Sequence, residues 1–399
     1  MGAQTIVIHF PVAARTTPRP IGGRPQTFPL VRILGIPISI DWSWLIIGTI
    51  VVVSLFAGFE ASNPHSSRSS IWAAALLTAA LFFTSLVLHE LSHSVVARAR
   101  GMDVLGIRLF VFGGVSELKK EPSKANDELL MAVVGPVASS VLALAFWGIR
   151  LAFVPDSLAR GVATWIATIN LSLAAFNLLP GFPLDGGRIL RAILWRATGD
   201  FRRASRIATR MGSIVAYGLI LLGVMLMFGR GEWMNGVWIA FVGWFLLTAA
   251  NSSWAQVRIQ EVLGQRSVSQ VMRSESAIIP PSESVRAFVE NRLLRTGEKC
   301  FVVGSGERME GLVTLQDVKL LPREEWDLTS VERIMVPVDQ VRKIAPSDSL
   351  LVAMETMNAA GVNQLPIVDG DRLLGILTRQ DLLRAVAVEL EIDQQIESP

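Results

Sequence analysis

Residues 85–97 read Ser85-Leu86-Val87-Leu88-His89-Glu90-Leu91-Ser92-His93-Ser94-Val95-Val96-Ala97, and within them His89-Glu90-Leu91-Ser92-His93 decides how the rest of the chain is read. Two His at i and i+4 lie about 40° apart around a helix, so both imidazoles leave one face. That spacing suits a zinc ion, and the Glu between them can take a proton from water. The run from Ile71 to Leu88 carries no charge and is long enough to cross hydrocarbon. Ionisable groups at that depth are costly and tend to be functional. The plainer alternative is two polar His and a Glu snorkelling at a membrane boundary.

Composition agrees with a membrane setting. Of 399 residues, 51% are hydrophobic and only 18% charged, too apolar for an ordinary soluble protein and long enough for two or three domains. A net charge of +3 gives no reason to expect nucleic acid. The single cysteine, Cys300, excludes internal disulfides and a cysteine-based zinc site. Residues 1–31, punctuated by Pro18, Pro20, Gly22, Gly23 and Pro25, read as a flexible cytoplasmic tail without the basic leader of a signal peptide. An Ile-rich run from Arg32 to Asp41 reads as a short strand.

Apolar runs at about 42–59, 71–97, 129–153, 161–180, 211–228 and 234–250 predict six membrane helices. With the amino terminus inside, the inner segments up to residue 250 carry seventeen Lys and Arg and the outer ones four (Arg68, Arg150, Arg160 and Arg230). That positive-inside bias places both termini in the cytoplasm. His89 then lies about 27 Å along a helix that enters from outside at Ile71, nearer the cytoplasmic face, where water has a short route in.

A catalytic zinc keeps three protein ligands and one open position. The membrane region has no third His and no Cys, so a carboxylate must serve. Asp185 stands out in Asn177-Leu178-Leu179-Pro180-Gly181-Phe182-Pro183-Leu184-Asp185-Gly186-Gly187-Arg188, where prolines and glycines interrupt a hydrophobic stretch around one acid. The alternative is a plain loop whose Asp caps the next helix. Asp127 and Glu128 fit less well, because acids are favoured at a helix start in any case.

The His89–His93 motif, the Leu-Asp-Gly-Gly-Arg segment and the six-span plan resemble the site-2 proteases, intramembrane zinc metalloproteases of the M50 type, over residues 30–250. The resemblance implies one zinc per chain held by His89, His93 and Asp185, with Glu90 as general base. It also implies a membrane-embedded β segment at 107–115, with Gly113 and Gly114, whose edge holds an unwound substrate. An Asn near the metal, at Asn177, is a candidate for the developing oxyanion, with helix capping as the equal alternative. Gly135-Pro136-Val137-Ala138-Ser139 looks like the family's Gly-x-x-x-small motif, and close helix packing explains it equally well. The PDZ domain that many family members carry mid-chain is not evident. The implied partners are a transmembrane protein substrate and the lipid bilayer, with cleavage near the cytoplasmic face in regulated proteolysis.

Beyond the spans the chain repeats itself. Ser267-Val268-Ser269-Gln270-Val271-Met272 recurs loosely as Ser330-Val331-Glu332-Arg333-Ile334-Met335, and Gly311–Asp317 recurs as Gly375–Asp381. Equal spacing at both ends of the unit argues for duplication, and Val/Ile runs alternating with helical patterns predict an α/β mix. The repeat resembles a CBS domain pair, which implies an adenine nucleotide contacted by Thr314, Asp317, Thr378 and Asp381, and dimerisation through such pairs. The expected plan is a polytopic α-helical membrane domain with a membrane-associated β segment (32–251), a linker (252–265), CBS repeats at 266–325 and 326–391, and a tail (392–399). Two rival functions are a catalytically silent membrane scaffold and a CBS-regulated transporter. Convergence of the membrane polar residues on one metal site argues against the transporter, and the intact His89, Glu90, His93 and Asp185 argue against the scaffold.

Overall fold

The computed structural model describes residues 27–397 except 112, 120, 273–277, 297–299, 306–307 and 371. The first 26 residues of the expected tail and the last two residues of the chain lie outside the described residues. The chain divides into two compact units, one ending at Val257 and the other starting at Arg258.

Among the described residues, six helices are long and apolar enough to span a membrane, the last of them continuing past Val257. They are α1 (Ser43–Ser62), α2 (Arg68–Ala99), α3 (Ala125–Ile149), α4 (Leu158–Asn177), α6 (Phe201–Gly229) and α7 (Trp233–Gln265). Between α4 and α6 stands α5 (Asp185–Thr198), where the sequence reading had only a basic loop. Local chemistry sets the starts. Ser67 accepts from the amide of Ser70 at α2, Ser157 from Arg160 at α4, and Asp200 from Arg203 at α6, each satisfying one of the amides that a helix start leaves bare. Gly199, at φ +71°, closes α5 in the left-handed region that glycine enters without strain. The expected linker 252–265 is helical instead, forming the end of α7. No proline occurs there and no glycine precedes Gly264, and Val257, Val262 and Leu263 are buried.

A four-stranded sheet, in the order β1 (Thr27–Ile33), β2 (Ile36–Asp41), β3 (Val104–Phe110), β4 (Gly113–Leu118), precedes and interrupts the helices. The expected single strand at 32–41 is a hairpin, turned by Leu34 and Gly35, both at positive φ. β3 runs parallel to β2, and β4 returns antiparallel to β3. Ile36, Ile38, Ile107 and Leu109 form the buried face of the sheet and pack on Leu86 and Leu91 of α2. This places β4, an edge strand, alongside the helix that carries the His-Glu-His motif.

The second unit is a mixed sheet in the order β5 (Ile278–Ile279), β6 (Cys300–Ser305), β7 (Arg308–Thr314), β10 (Arg372–Thr378), β9 (Gln364–Asp369), with β8 (Val336–Pro337) paired to β7. The two repeats meet where β7 and β10 pair. Their cores exchange segments. Val268 is buried among Leu350, Met357, Ile367 and Leu377 of the second repeat, and Val331 among Val285, Phe288, Phe301 and Val313 of the first. Backbone bonds fix the exchange: Val268 N donates to Asp348 O (2.8 Å), and Val331 N to Glu283 O (2.9 Å). A division between residues 325 and 326 therefore separates segments that complete one another's cores.

Candidate metal centre

His89 and His93 lie one turn apart on α2, both buried, and Asp185 opens α5. His89 Nε2 stands 3.2 Å and His93 Nε2 3.3 Å from Asp185 Oδ2, with 3.3 Å between the two imidazole nitrogens. Ligands at about 2.0–2.1 Å from a tetrahedral zinc lie roughly 3.3 Å apart, so this near-equilateral triangle fits one face of such a site. Among the described residues it is the one cluster of three such donors. The outer nitrogens fix the rings. His93 Nδ1 lies 2.6 Å from Met131 O, an atom that can only accept, so the proton sits on Nδ1 and the Nε2 lone pair faces the triangle. His89 Nδ1 pairs with Ser139 Oγ at 2.9 Å.

Both partners come from α3, where the Gly135–Ser139 motif has a defined place. A Cβ on Gly135 would collide with His93 and stand 2.8 Å from His89 Nε2, so only glycine leaves room for both rings. Ser139 supplies the hydroxyl one turn on. The sequence left this motif between packing and chemistry; in the structure it packs against both imidazoles and bonds to one of them.

Asp185 reaches the histidines through the irregular stretch before it. Phe182 N donates to Ala208 O of α6 at 3.2 Å, and a Cβ at Gly181 would collide with Gly212 on the same helix. Gly186 and Gly187 fold back against the backbone of residues 178–182, so a side chain at either position would push α5 away. The glycines flanking Asp185 thus give a close approach of backbone to backbone.

Glu90, beside the histidines, is half-buried. Its carboxylate accepts from Ser116 Oγ of β4 at 3.3 Å, and Ser116 also pairs with Ser94 at 3.0 Å. Gly114 faces Glu90 so closely that a Cβ there would stand 2.5 Å from its Cγ, whereas Gly113, at φ +130°, has open space around it. Ser116 was not singled out in the sequence, since a serine in an exposed-looking strand carries no signal until the strand is placed. Asn177 donates to Leu173 O within α4 at 3.1 Å, the helix-bonded alternative. In the second unit, Asp317 Oδ2 accepts from Thr314 N and Oγ1 (2.8 and 2.7 Å), and Asp381 Oδ2 from Thr378 N and Oγ1 (3.1 and 2.6 Å). Each pair closes a helix start; Asp381 is buried, while Asp317 is half-buried.

The chain is similar to known proteins along both of its units. The model of peptidase family M50 matches residues 77–164 and 154–219, and that of the CBS domain matches 268–322 and 331–388. A Mycobacterium tuberculosis protein named as a zinc metalloprotease, Rip3, is 33% identical over 91% of this chain and 93% of its own length. A zinc metalloprotease of Methanocaldococcus jannaschii is 26% identical over 92% of this chain and 98% of its own. Among solved structures, a site-2 protease from the same archaeon is 31% identical, covering 57% of this chain and 95% of its own at a TM-score of 0.39.

Proposed function

Since the chain belongs to peptidase family M50 and is a multi-pass zinc metalloprotease of the site-2 protease type with a CBS pair, we propose that His89, His93 and Asp185 are its metal ligands and Glu90 its general base. The observation that carries this is the 3.2–3.3 Å triangle of His89, His93 and Asp185, with Glu90 beside it. When bound, zinc supplies a Lewis acid that polarises the scissile carbonyl and acidifies water. Glu90 takes a proton from the attacking water and delivers it to the departing amine. The Ser116 hydroxyl holds the Glu90 carboxylate, and Ser139 and Met131 O hold the imidazoles. Asp185→Ala removes one corner of the triangle and leaves only the His89–His93 edge. Metal analysis of the purified chain should give one zinc in wild type and well below that in the variant; equal content would remove Asp185 from the ligand set.

The substrate is a membrane-spanning protein helix, which must unwind before its amides can be attacked. β4 offers the edge on which an unwound segment can add as a strand, and Ser116 ties that edge to Glu90. Asn177 donates one N–H to Leu173 O, and the second N–H of its amide is the candidate oxyanion donor. The bias of Lys and Arg supports cytoplasmic termini and cleavage near the cytoplasmic face. A cysteine replacing exposed His65, in a Cys300→Ser background, should react with an impermeant thiol reagent outside intact cells, and one replacing exposed Arg203 only after permeabilisation. The reverse pattern would invert the topology.

The CBS pair is proposed to bind an adenine nucleotide and so modulate cleavage. Thr314, Asp317, Thr378 and Asp381 support this by their repeated arrangement. Because each Asp keeps one oxygen on its own helix start, the half-buried Asp317 is the better ribose contact. Calorimetry on the full chain should show heat with AMP or ATP, and Asp317→Ala should weaken it by about tenfold, the worth of a charge-assisted hydrogen bond. No heat with either nucleotide would remove the modulation and leave the protease intact. Dimerisation through the CBS pairs is checked by light scattering, where a monomer mass would exclude it.

A further inference from the structure

Outside the triangle, α3 and α5 share a pair of buried charges that the reaction does not use. Glu128, near the start of α3, is wholly buried, and Arg191 of α5 is 3% exposed. Arg191 Nε donates to Glu128 Oε1 at 2.7 Å, its Nη2 donates to the same oxygen, and Nη2 also stands 3.6 Å from Glu121. The guanidinium lies 4.7 Å from the Phe182 ring and 4.8 Å from the Phe201 ring. The sequence set Glu128 aside as an ordinary acid at a helix start, and counted Arg191 among the charges of a loop.

As a stabilising element this pair is poor. Two charges have been taken out of water, and Glu128 Oε2 is buried with no hydrogen-bond partner among the described residues. Breaking such a pair is costly, yet replacing both charges with well-packed apolar groups is often harmless to stability. What the pair does supply is register. Glu128, Met131, Gly135 and Ser139 follow one another at steps of three, four and four, so they form one face of α3. Met131 and Ser139 hold the outer nitrogens of His93 and His89, and Gly135 makes room for both rings. Glu128, on the same face, grips Arg191, six residues after Asp185, or about 9 Å along α5. Phe182, three residues before Asp185, lies against that guanidinium.

We propose that Glu128 and Arg191 are positioning residues that set Asp185 in register with His89 and His93, so that one face of α3 aligns all three metal ligands. This rests on the metal-ligand reading above. The fork of the guanidinium matters as well as its charge, because a planar pair of donors fixes the rotation of α5 where a lysine ammonium would not.

The test is zinc affinity of the full chain in detergent, measured by chelator competition, beside the unfolding temperature of the zinc-free form. In the double variant Glu128→Met/Arg191→Met, zinc affinity should fall at least tenfold while the zinc-free unfolding temperature stays at the wild-type value. Arg191→Lys should also lose affinity, by at least threefold. Wild-type affinity in the folded double variant would overturn the proposal. If the double variant does not fold, unchanged affinity in Arg191→Lys overturns it. Wild type and Asp185→Ala are run together: if wild type holds no zinc, or Asp185→Ala holds it equally well, the metal-ligand reading fails and takes this proposal with it. Loss in Asp185→Ala with full retention in both positioning variants sinks this proposal alone.

Discussion

Glu90→Gln should keep its zinc and lose peptide-bond cleavage by about 10²–10⁴-fold, the usual contribution of a positioned general base. The amide is nearly isosteric with the carboxylate and can still hydrogen-bond to Ser116, whose hydroxyl lies 3.3 Å from Glu90 Oε2. His89, His93 and Asp185 do not depend on Glu90 for any bond among themselves. The variant therefore separates metal binding from proton transfer. The assay is cleavage of a single-span membrane protein in proteoliposomes, with zinc content measured on the same preparation. Cleavage within threefold of wild type would remove Glu90 from the base role. Loss of zinc along with activity would mean that Glu90 supports the metal site itself.

Gly135→Ala should lower zinc affinity by about 10–100-fold, the range for changes to groups that orient metal ligands. The added methyl would press on the ring of His93 and lie 2.8 Å from His89 Nε2, and these rings cannot retreat without leaving Met131 O and Ser139 Oγ. Folding should suffer less than metal binding. Alanine is a better helix former than glycine by about 1 kcal/mol, which offsets part of the roughly 1–3 kcal/mol that overpacking costs. The zinc-free unfolding temperature should fall by a few degrees at most, about 2–4 °C per kcal/mol, while chelator competition shows the full loss. Wild-type affinity in Gly135→Ala would mean that the rings have room to spare, and that the glycine serves helix packing alone.

The parts of this molecule legible in the sequence are those with a local signature. Long uncharged runs gave α1 to α4, α6 and α7, because hydrocarbon thickness fixes their length. His89 and His93 were legible because i,i+4 spacing is a geometric statement on its own. Asp185 was legible by exclusion of other residue types and by the broken backbone around it. The features that escaped depend on contacts distant in sequence. α5 looked like a basic loop because Arg188, Arg191 and Arg196 interrupt its apolar positions, and nothing local reveals that Arg191 turns inward to Glu128, 63 residues earlier. Ser116 and Ser139 acquire meaning only once β4 and α3 lie against α2. The first ten residues of α6 were lost for a simpler reason: arginines at a helix start lower hydropathy without breaking the helix.

The exchange of segments in the second unit has a consequence for the order in which the nascent chain can become compact. Val331 must leave the ribosome before the first repeat can close over Phe288 and Phe301, although β6 and β7 are already made. Val268, synthesised 63 residues earlier, waits longer still, because its neighbours Leu377 and Leu382 follow 46 and 51 residues after Val331. Neither repeat can therefore finish while the other is unmade, and the early half spends the interval with apolar side chains uncovered. A ribosome stalled after residue 325 would hold two unfinished cores, not one finished repeat.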